Sequence, residues 1–284
     1  MKPVMARLYH FLQLLSLDVV LGALVSGHMV ATLLGTTMPL SWWVALPVSV
    51  WVLYTTDHLL DAWRLGEQAT SDRHRFHVVH FEALVLAWGL GLAMCLGVFS
   101  WWVPTPMLIL GFAVGALSLL HLGLVWLVKD RVNPLLAKEA GVAFIYTAGV
   151  WIGPLSLVRG PVIYATGLAM LQFFALALIN LITFASYEQE MDSVNGLSSW
   201  ARALGPAASQ WVIGLLSLLV MLLSYFILPE RATNDRVVPV QATFLAMLAL
   251  LVWVWVDRKR FQQNEAYRMV ADAAFLLPVW FLWW

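Results

Sequence analysis

Two short acidic stretches hold the residue types best suited to chemistry. The first is Tyr54-Thr55-Thr56-Asp57-His58-Leu59-Leu60-Asp61-Ala62-Trp63-Arg64, and the second is Tyr187-Glu188-Gln189-Glu190-Met191-Asp192. Each closes a long apolar run. Asp57 and Asp61 are four apart, so on a helix they point the same way, and Tyr54 and Arg64 share that face. Glu188 and Asp192 repeat the spacing, and Asn180 stands two turns earlier on roughly the same side. Ionised residues in or beside lipid are costly and mark functional sites. Mg²⁺ takes oxygen ligands, commonly one or two carboxylates plus substrate phosphates. Two carboxylate pairs that face each other are therefore expected to hold Mg²⁺ against a diphosphate. The alternative is two sets of interfacial carboxylates solvated by lipid headgroups.

The rest of the chain has to bring those two ends together. Its 284 residues are 62% hydrophobic and only 11% charged, whereas soluble domains carry about 25% charge. The apolar runs approach the ~20 residues that span a bilayer, which favours helices over a barrel. An all-α, polytopic membrane protein follows, with nine transmembrane helices around a central cavity. The segments fall at about 11–35, 39–63, 78–103, 105–128, 137–158, 161–187, 206–229, 238–256 and 266–284. Pro39, Pro104, Pro106, Pro134, Pro161, Gly205, Pro206, Pro229 and Pro239 lie at or near proposed ends. The first segment lacks a small-residue cleavage site and is expected to be a retained helix.

Basic residues set an orientation. With the N-terminus cytoplasmic, Lys2, Arg7, Arg64, Arg73, Arg75, Lys129, Arg131, Lys138, Arg202, Arg258, Lys259 and Arg260 share the cytoplasmic side. Arg159, Arg231 and Arg236 lie opposite, and Arg268 falls inside the ninth segment. This obeys the positive-inside rule and suits a plasma (inner) membrane, with both acidic stretches on the cytoplasmic side. The acidic stretches end segments two and six. That offset suggests one integral membrane domain over 1–284, built as two four-helix halves, about 1–130 and 131–260, plus a final helix. Trp42, Trp43, Trp101, Trp102, Trp283 and Trp284 sit at segment ends, where an aromatic belt is expected.

Other chemistries are narrowed by composition. A formal net charge of zero argues against a nucleic-acid partner, and membrane lipids are the expected surroundings. Cys95 is the only cysteine, which leaves no internal disulfide and no cysteine-based metal site. His74, His77 and His80, with His58 beside Asp57, raise a histidine metal centre as an alternative; on one helix His74 and His80 point well apart. Asp18 and Asp272 are expected to pair with Arg7 or Arg268, or to line the cavity. Nothing in the sequence sets an oligomeric state.

The chain resembles the intramembrane prenyltransferases of the UbiA superfamily. Their pattern is Asn-Asp-x-x-Asp-x-x-x-Asp on helix two and Asp-x-x-x-Asp on helix six of nine. Asp57 and Asp61 match the last two acids of the first motif, while Leu53-Tyr54 replace its leading Asn-Asp. Glu188 and Asp192 match the second, with Glu for Asp. The segment Gly196 to Gly205 reads like the one that follows it. Lys138, opening segment five, resembles the basic residue that meets the diphosphate. The resemblance implies Mg²⁺-dependent transfer of an isoprenyl group from a prenyl diphosphate to a lipophilic acceptor, aromatic or lipid. Asp57, Asp61, Glu188 and Asp192 would then serve as catalytic, metal-holding acids. Lys138 with Arg64 or Arg73 would stabilise the departing diphosphate, and Tyr54 and Asn180 would border it. Two alternatives stay open: a terpene cyclase on the same scaffold, and a catalytically silent lipid-binding or transport protein.

Overall fold

Each apolar segment of the sequence falls on a helix, and prolines and glycines separate them. The computed structural model describes residues 9–66, 72–127, 138–159, 164–194, 200–232 and 234–284. We number the principal helices α1 Leu17–Leu34, α2 Leu40–Leu65, α3 Asp72–Val79 and α4 Phe81–Trp102. They continue with α5 Thr105–Leu127, α6 Lys138–Leu155, α7 Tyr164–Val194, α8 Trp200–Ile227, α9 Val237–Val256 and α10 Ala266–Ala274. A 3₁₀ run, Leu277–Trp283, ends the chain. No strand occurs among the described residues. Lys2, Arg7, Lys129, Arg131 and 195–199 lie outside them, as do the side chains of Asp192 and Arg202.

Among the described residues, seven helices are long and apolar enough to cross a membrane, by length and composition. They are the segments on α1, α4, α5, α7, α8, α9 and the α10 run. Of the nine expected, the two that fall short in apolarity are α2 and α6, at 26 and 18 residues. The reason is chemical rather than geometric. α2 carries Asp57, His58, Asp61 and Arg64, and α6 opens on Lys138 and Glu139. Both helices fall short because they carry charged residues of the polar site.

Burial shows which helices are central. Within its most apolar stretch α7 is 67% buried, while α5 is 11% and α4 is 17% buried. α7 is thus the most buried of these spans, packed against α6, α8, α9 and α10, and α4 and α5 form the periphery. Phe173 and Ile179 of α7, Trp151 of α6, Phe244 of α9 and Phe281 near the chain end form one fully buried core. A reciprocal amide pair joins α7 to α9 inside it: Gln172 and Gln241 exchange hydrogen bonds of 2.9 and 3.0 Å. Buried amides need such partners, and the pair fixes the register of the two helices.

Small residues allow close approach where large ones fill. Trp42, at the start of α2, is only 2% exposed and sits in a slot between Gly27 of α1 and Gly153 of α6. It is therefore a packing residue and not part of an aromatic belt, whereas Trp101 is 93% exposed. At the start of α8 the helix breaks at Gly205, whose φ of 82° only glycine adopts readily, just before Pro206.

Candidate active site

Four helices each turn one stripe toward a common cavity of about 340 Å³. On α2 the stripe is Tyr54, Asp57, His58, Asp61 and Arg64. On α7 it is Ala177, Asn180, Leu181, Phe184, Ala185 and Glu188, the three-four spacing of a single helix face. α6 adds Lys138, Glu139 and Tyr146, and the last helix adds Arg268, Asp272 and then Phe275. Arg73 and His74 of α3 close the side. Asp57, Asp61, Glu188, Lys138, Arg64, Arg73, Tyr54 and Asn180 thus line one cavity. The side chain of Asp192 lies outside the described residues.

Each of the three described acids faces a nitrogen base from another helix. Lys138 Nζ donates to Asp57 Oδ2 at 2.9 Å and to Oδ1 at 3.2 Å. His74 Nε2 lies 3.5 Å from Asp61 Oδ2. Arg268 Nη2 lies 2.8 Å from Glu188 Oε1, which also accepts the Tyr267 hydroxyl at 3.1 Å. These carboxylates are half-buried or deeper, where an unpaired charge is expensive. The pairings offset that cost. Arg73 is pushed below its ordinary value by burial and next by the Arg268 charge, while Asp272, Asp18 and Glu188 pull it back.

A second polar group lies deeper. Asn180 Nδ2 donates to Asp272 Oδ1 at 3.1 Å. Asp18, 2% exposed on α1, accepts the Val19 backbone N–H at 2.9 Å. Of the two intramembrane acids, Asp272 lines the cavity, while Arg268 is taken by Glu188. Arg7 lies outside the described residues.

The histidines diverge. His74 faces Asp61, the His77 ring meets His58 at 4.9 Å, and exposed His80 bonds the Phe76 carbonyl. His58 Nε2 lies 3.1 Å from the Ser16 hydroxyl. Among the described residues no three His, Cys, Asp or Glu side chains already converge as a metal site.

Sequence reasoning missed Arg268 and Glu139 as lining residues, and it offered His74 only as part of a histidine centre. Arg268 left a signal, since a lone arginine inside an apolar segment requires a partner acid. Glu139 left none: its Oε1 accepts the Trp200 backbone N–H at 3.0 Å and so ties α6 to the start of α8.

The helix arrangement is one already known from solved structures. A UbiA homolog from Aeropyrum pernix K1, in its apo structure, superposes with a TM-score of 0.66 over 93% of this chain and 96% of its own, at 14% identity. A UbiA homolog from Archaeoglobus fulgidus, bound to Cd²⁺, gives a TM-score of 0.55 over 96% and 99%, also at 14% identity. The chain has the fold of the UbiA homologs. No protein-family model matches the sequence, and no curated protein matches it.

Proposed function

We propose that this chain is a UbiA-superfamily prenyltransferase, moving an isoprenyl group from a prenyl diphosphate to a lipophilic acceptor with Mg²⁺. The observation that carries the reading is the meeting of Asp57, Asp61 and Glu188 with Lys138 and Arg73 at one cavity inside this fold. The donor set fits Mg²⁺, because it offers carboxylate oxygens and no sulfur. It also fits a metal that arrives with its phosphate, because each of these acids is already engaged by a basic side chain.

Asp57, Asp61 and Glu188, with Asp192 by its spacing, would hold Mg²⁺, which when bound supplies counter-charge to the departing diphosphate. Lys138, released from Asp57, turns its ammonium to the phosphate oxygens, and Arg64 and Arg73 add charge along the same wall. Tyr54, one turn inward of Asp57, is placed to donate its hydroxyl. In the reaction the allylic C1–O bond breaks and its electron pair leaves on the diphosphate. The acceptor forms the new bond to C1 and loses a proton. Tyr146, Phe184 and Phe275 line the cavity, where aromatic faces stabilise the allylic cation and exclude water. The excess of basic residues on one set of loops supports a cytoplasmic site in a plasma (inner) membrane.

Release of diphosphate from prenyl diphosphates of several lengths, with and without a lipophilic acceptor, tests the reading. Acceptor-dependent release supports it. Release without any acceptor marks a cyclase, and no release at any chain length marks a binding protein. Cysteine labelling at Arg75 and Arg231, in a Cys95→Ser background, should report opposite sides of the membrane.

A further inference from the structure

The inner end of the cavity offers hydrogen-bond acceptors that nothing meets. Asn180 spends Nδ2 on Asp272, and its Oδ1 is buried with no partner among the described residues. Asp272 makes no other side-chain hydrogen bond among them. The two residues are 6% and 9% exposed, and both line the cavity. Behind them Asp18 Oδ2 is also buried without a partner. Unmet acceptors in a buried site are costly, so a guest that brings donors is favoured there.

The walls beside this group are aromatic. The Tyr146 and Phe275 rings stand edge to face with centroids 5.6 Å apart, and Phe173 stacks behind Tyr146 at 5.9 Å. Such walls suit a flat ring. Depth fits as well: Asn180 lies eight residues before Glu188 on α7, ~12 Å of helix rise. That leaves room between the outer acids and Asp272 for a reacting carbon and one ring. Charge narrows the guest further. Seven acids line the cavity against four Lys or Arg. Of those four, Lys138 is held by Asp57, and Arg268 by Glu188 and Glu265.

We propose that Asp272 and Asn180 form the head-group subsite of the acceptor, and that they select a neutral, hydroxylated aromatic ring over one bearing a carboxylate. The ring hydroxyl donates to Asp272 Oδ2 or to Asn180 Oδ1, whereas a carboxylate brings no donor and meets like charge. The inference rests on the prenyltransferase reading for the guest's role and on the cavity alone for its chemistry.

The test is calorimetric titration of hydroquinone and 4-hydroxybenzoate onto the full chain in detergent. The two probes share a ring and a hydroxyl and differ in one substituent. Wild type should bind hydroquinone at least about tenfold more tightly. Asp272→Asn can keep the bond to Asn180, and should gain affinity for 4-hydroxybenzoate until the ratio falls below about threefold. A misfolded variant loses both probes, so this gain cannot come from unfolding. Equal binding of the two probes to wild type, binding of neither, or an unchanged ratio in Asp272→Asn overturns the subsite. Mg²⁺-dependent binding of farnesyl diphosphate to the same preparation tests the prenyltransferase reading separately. If it is missing while the probe ratio responds to Asp272→Asn, that reading falls and the subsite stands.

Discussion

Lys138 Nζ grips both carboxylate oxygens of Asp57, at 2.9 and 3.2 Å, across the contact between α6 and α2. Arg268 does the same work for Glu188 from the last helix. An acid proposed to hold metal and a cation proposed to hold phosphate therefore neutralise each other across the cavity. A magnesium diphosphate can replace both interactions at once, the metal taking the acid and the phosphate taking the cation. Neither Mg²⁺ nor diphosphate alone can do so without leaving a half-buried charge unpaired.

Lys138→Met should separate the two ligands. With Asp57 freed, Mg²⁺ alone should bind more tightly, by roughly three- to tenfold if the pair is worth about 1 kcal/mol. Mg²⁺-dependent binding of a prenyl diphosphate should weaken in the same variant. Titration of each ligand onto wild type and variant checks this. If Mg²⁺ binding also weakens, Lys138 supports the site's shape and the exchange picture fails.

Gly153→Ala should destabilise the protein while Gly149→Ala, one turn away on α6, should not. A Cβ at Gly153 would lie 2.5 Å from Trp42 Nε1 and 2.9 Å from its Cδ1, and that indole is almost wholly buried. Overpacking of this kind costs typically 1–3 kcal/mol, about the same as or more than the ~1 kcal/mol that alanine gains over glycine in a helix. At Gly149 a Cβ meets nothing within 4 Å, so only the gain remains. Thermal unfolding in detergent should move down for the first variant and slightly up for the second. Equal shifts would mean that Trp42 can leave its slot freely.

These contacts mark what the sequence could and could not disclose. The Asp57–Asp61 spacing and the α7 face from Asn180 to Glu188 are local, so helical periodicity reveals them directly. The helix boundaries follow from proline and glycine for the same reason. The Trp42 slot is not local, because it needs glycines from two other helices. Position near a segment end therefore read as a membrane belt. Arg268 and Asp272 were visible only as odd residues in an apolar run. Their partners, Glu188 and Asn180, stand on α7, and only the packed fold pairs them.

Acidification should destabilise the α2–α3 contact through His77. Burial holds His77 below its ordinary value; its hydrogen bond to the Arg73 carbonyl opposes this, and the Arg73 and His74 charges add to the lowering. An unfolded chain takes up that proton near pH 6.5, before the folded chain does. Stability is then full above that pH and falls as pH drops through it toward the lower folded value. Melting of wild type should move down between pH 7.5 and 5.5, and His77→Gln should flatten the dependence. An unaltered slope in His77→Gln would assign the effect to another group.

Tyr54 stands where the UbiA pattern has an acid, one turn inward of Asp57 on the face that lines the cavity. A phenol is neutral at physiological pH, so the outer site carries one charge fewer than the pattern would give it. Asp57 is further offset by Lys138. On the proposed reading, both features would lower the attraction for free Mg²⁺ and leave diphosphate to bring much of the metal with it. Tyr54→Asp restores the charge on the same helix face. It should tighten Mg²⁺ binding in the substrate-free protein, while Asp57→Ala and Asp192→Ala abolish diphosphate release. The added carboxylate also stands within electrostatic reach of Asp272 and Asp18, so the gain in metal affinity should come with lowered thermal stability in Mg²⁺-free buffer. Mg²⁺ should then raise the melting temperature more for Tyr54→Asp than for wild type, because a ligand of the folded state stabilises it in proportion to its affinity. If Mg²⁺ moves the two proteins equally, Tyr54 does not face the metal, and the outer site must be drawn around Asp61 and Glu188 instead.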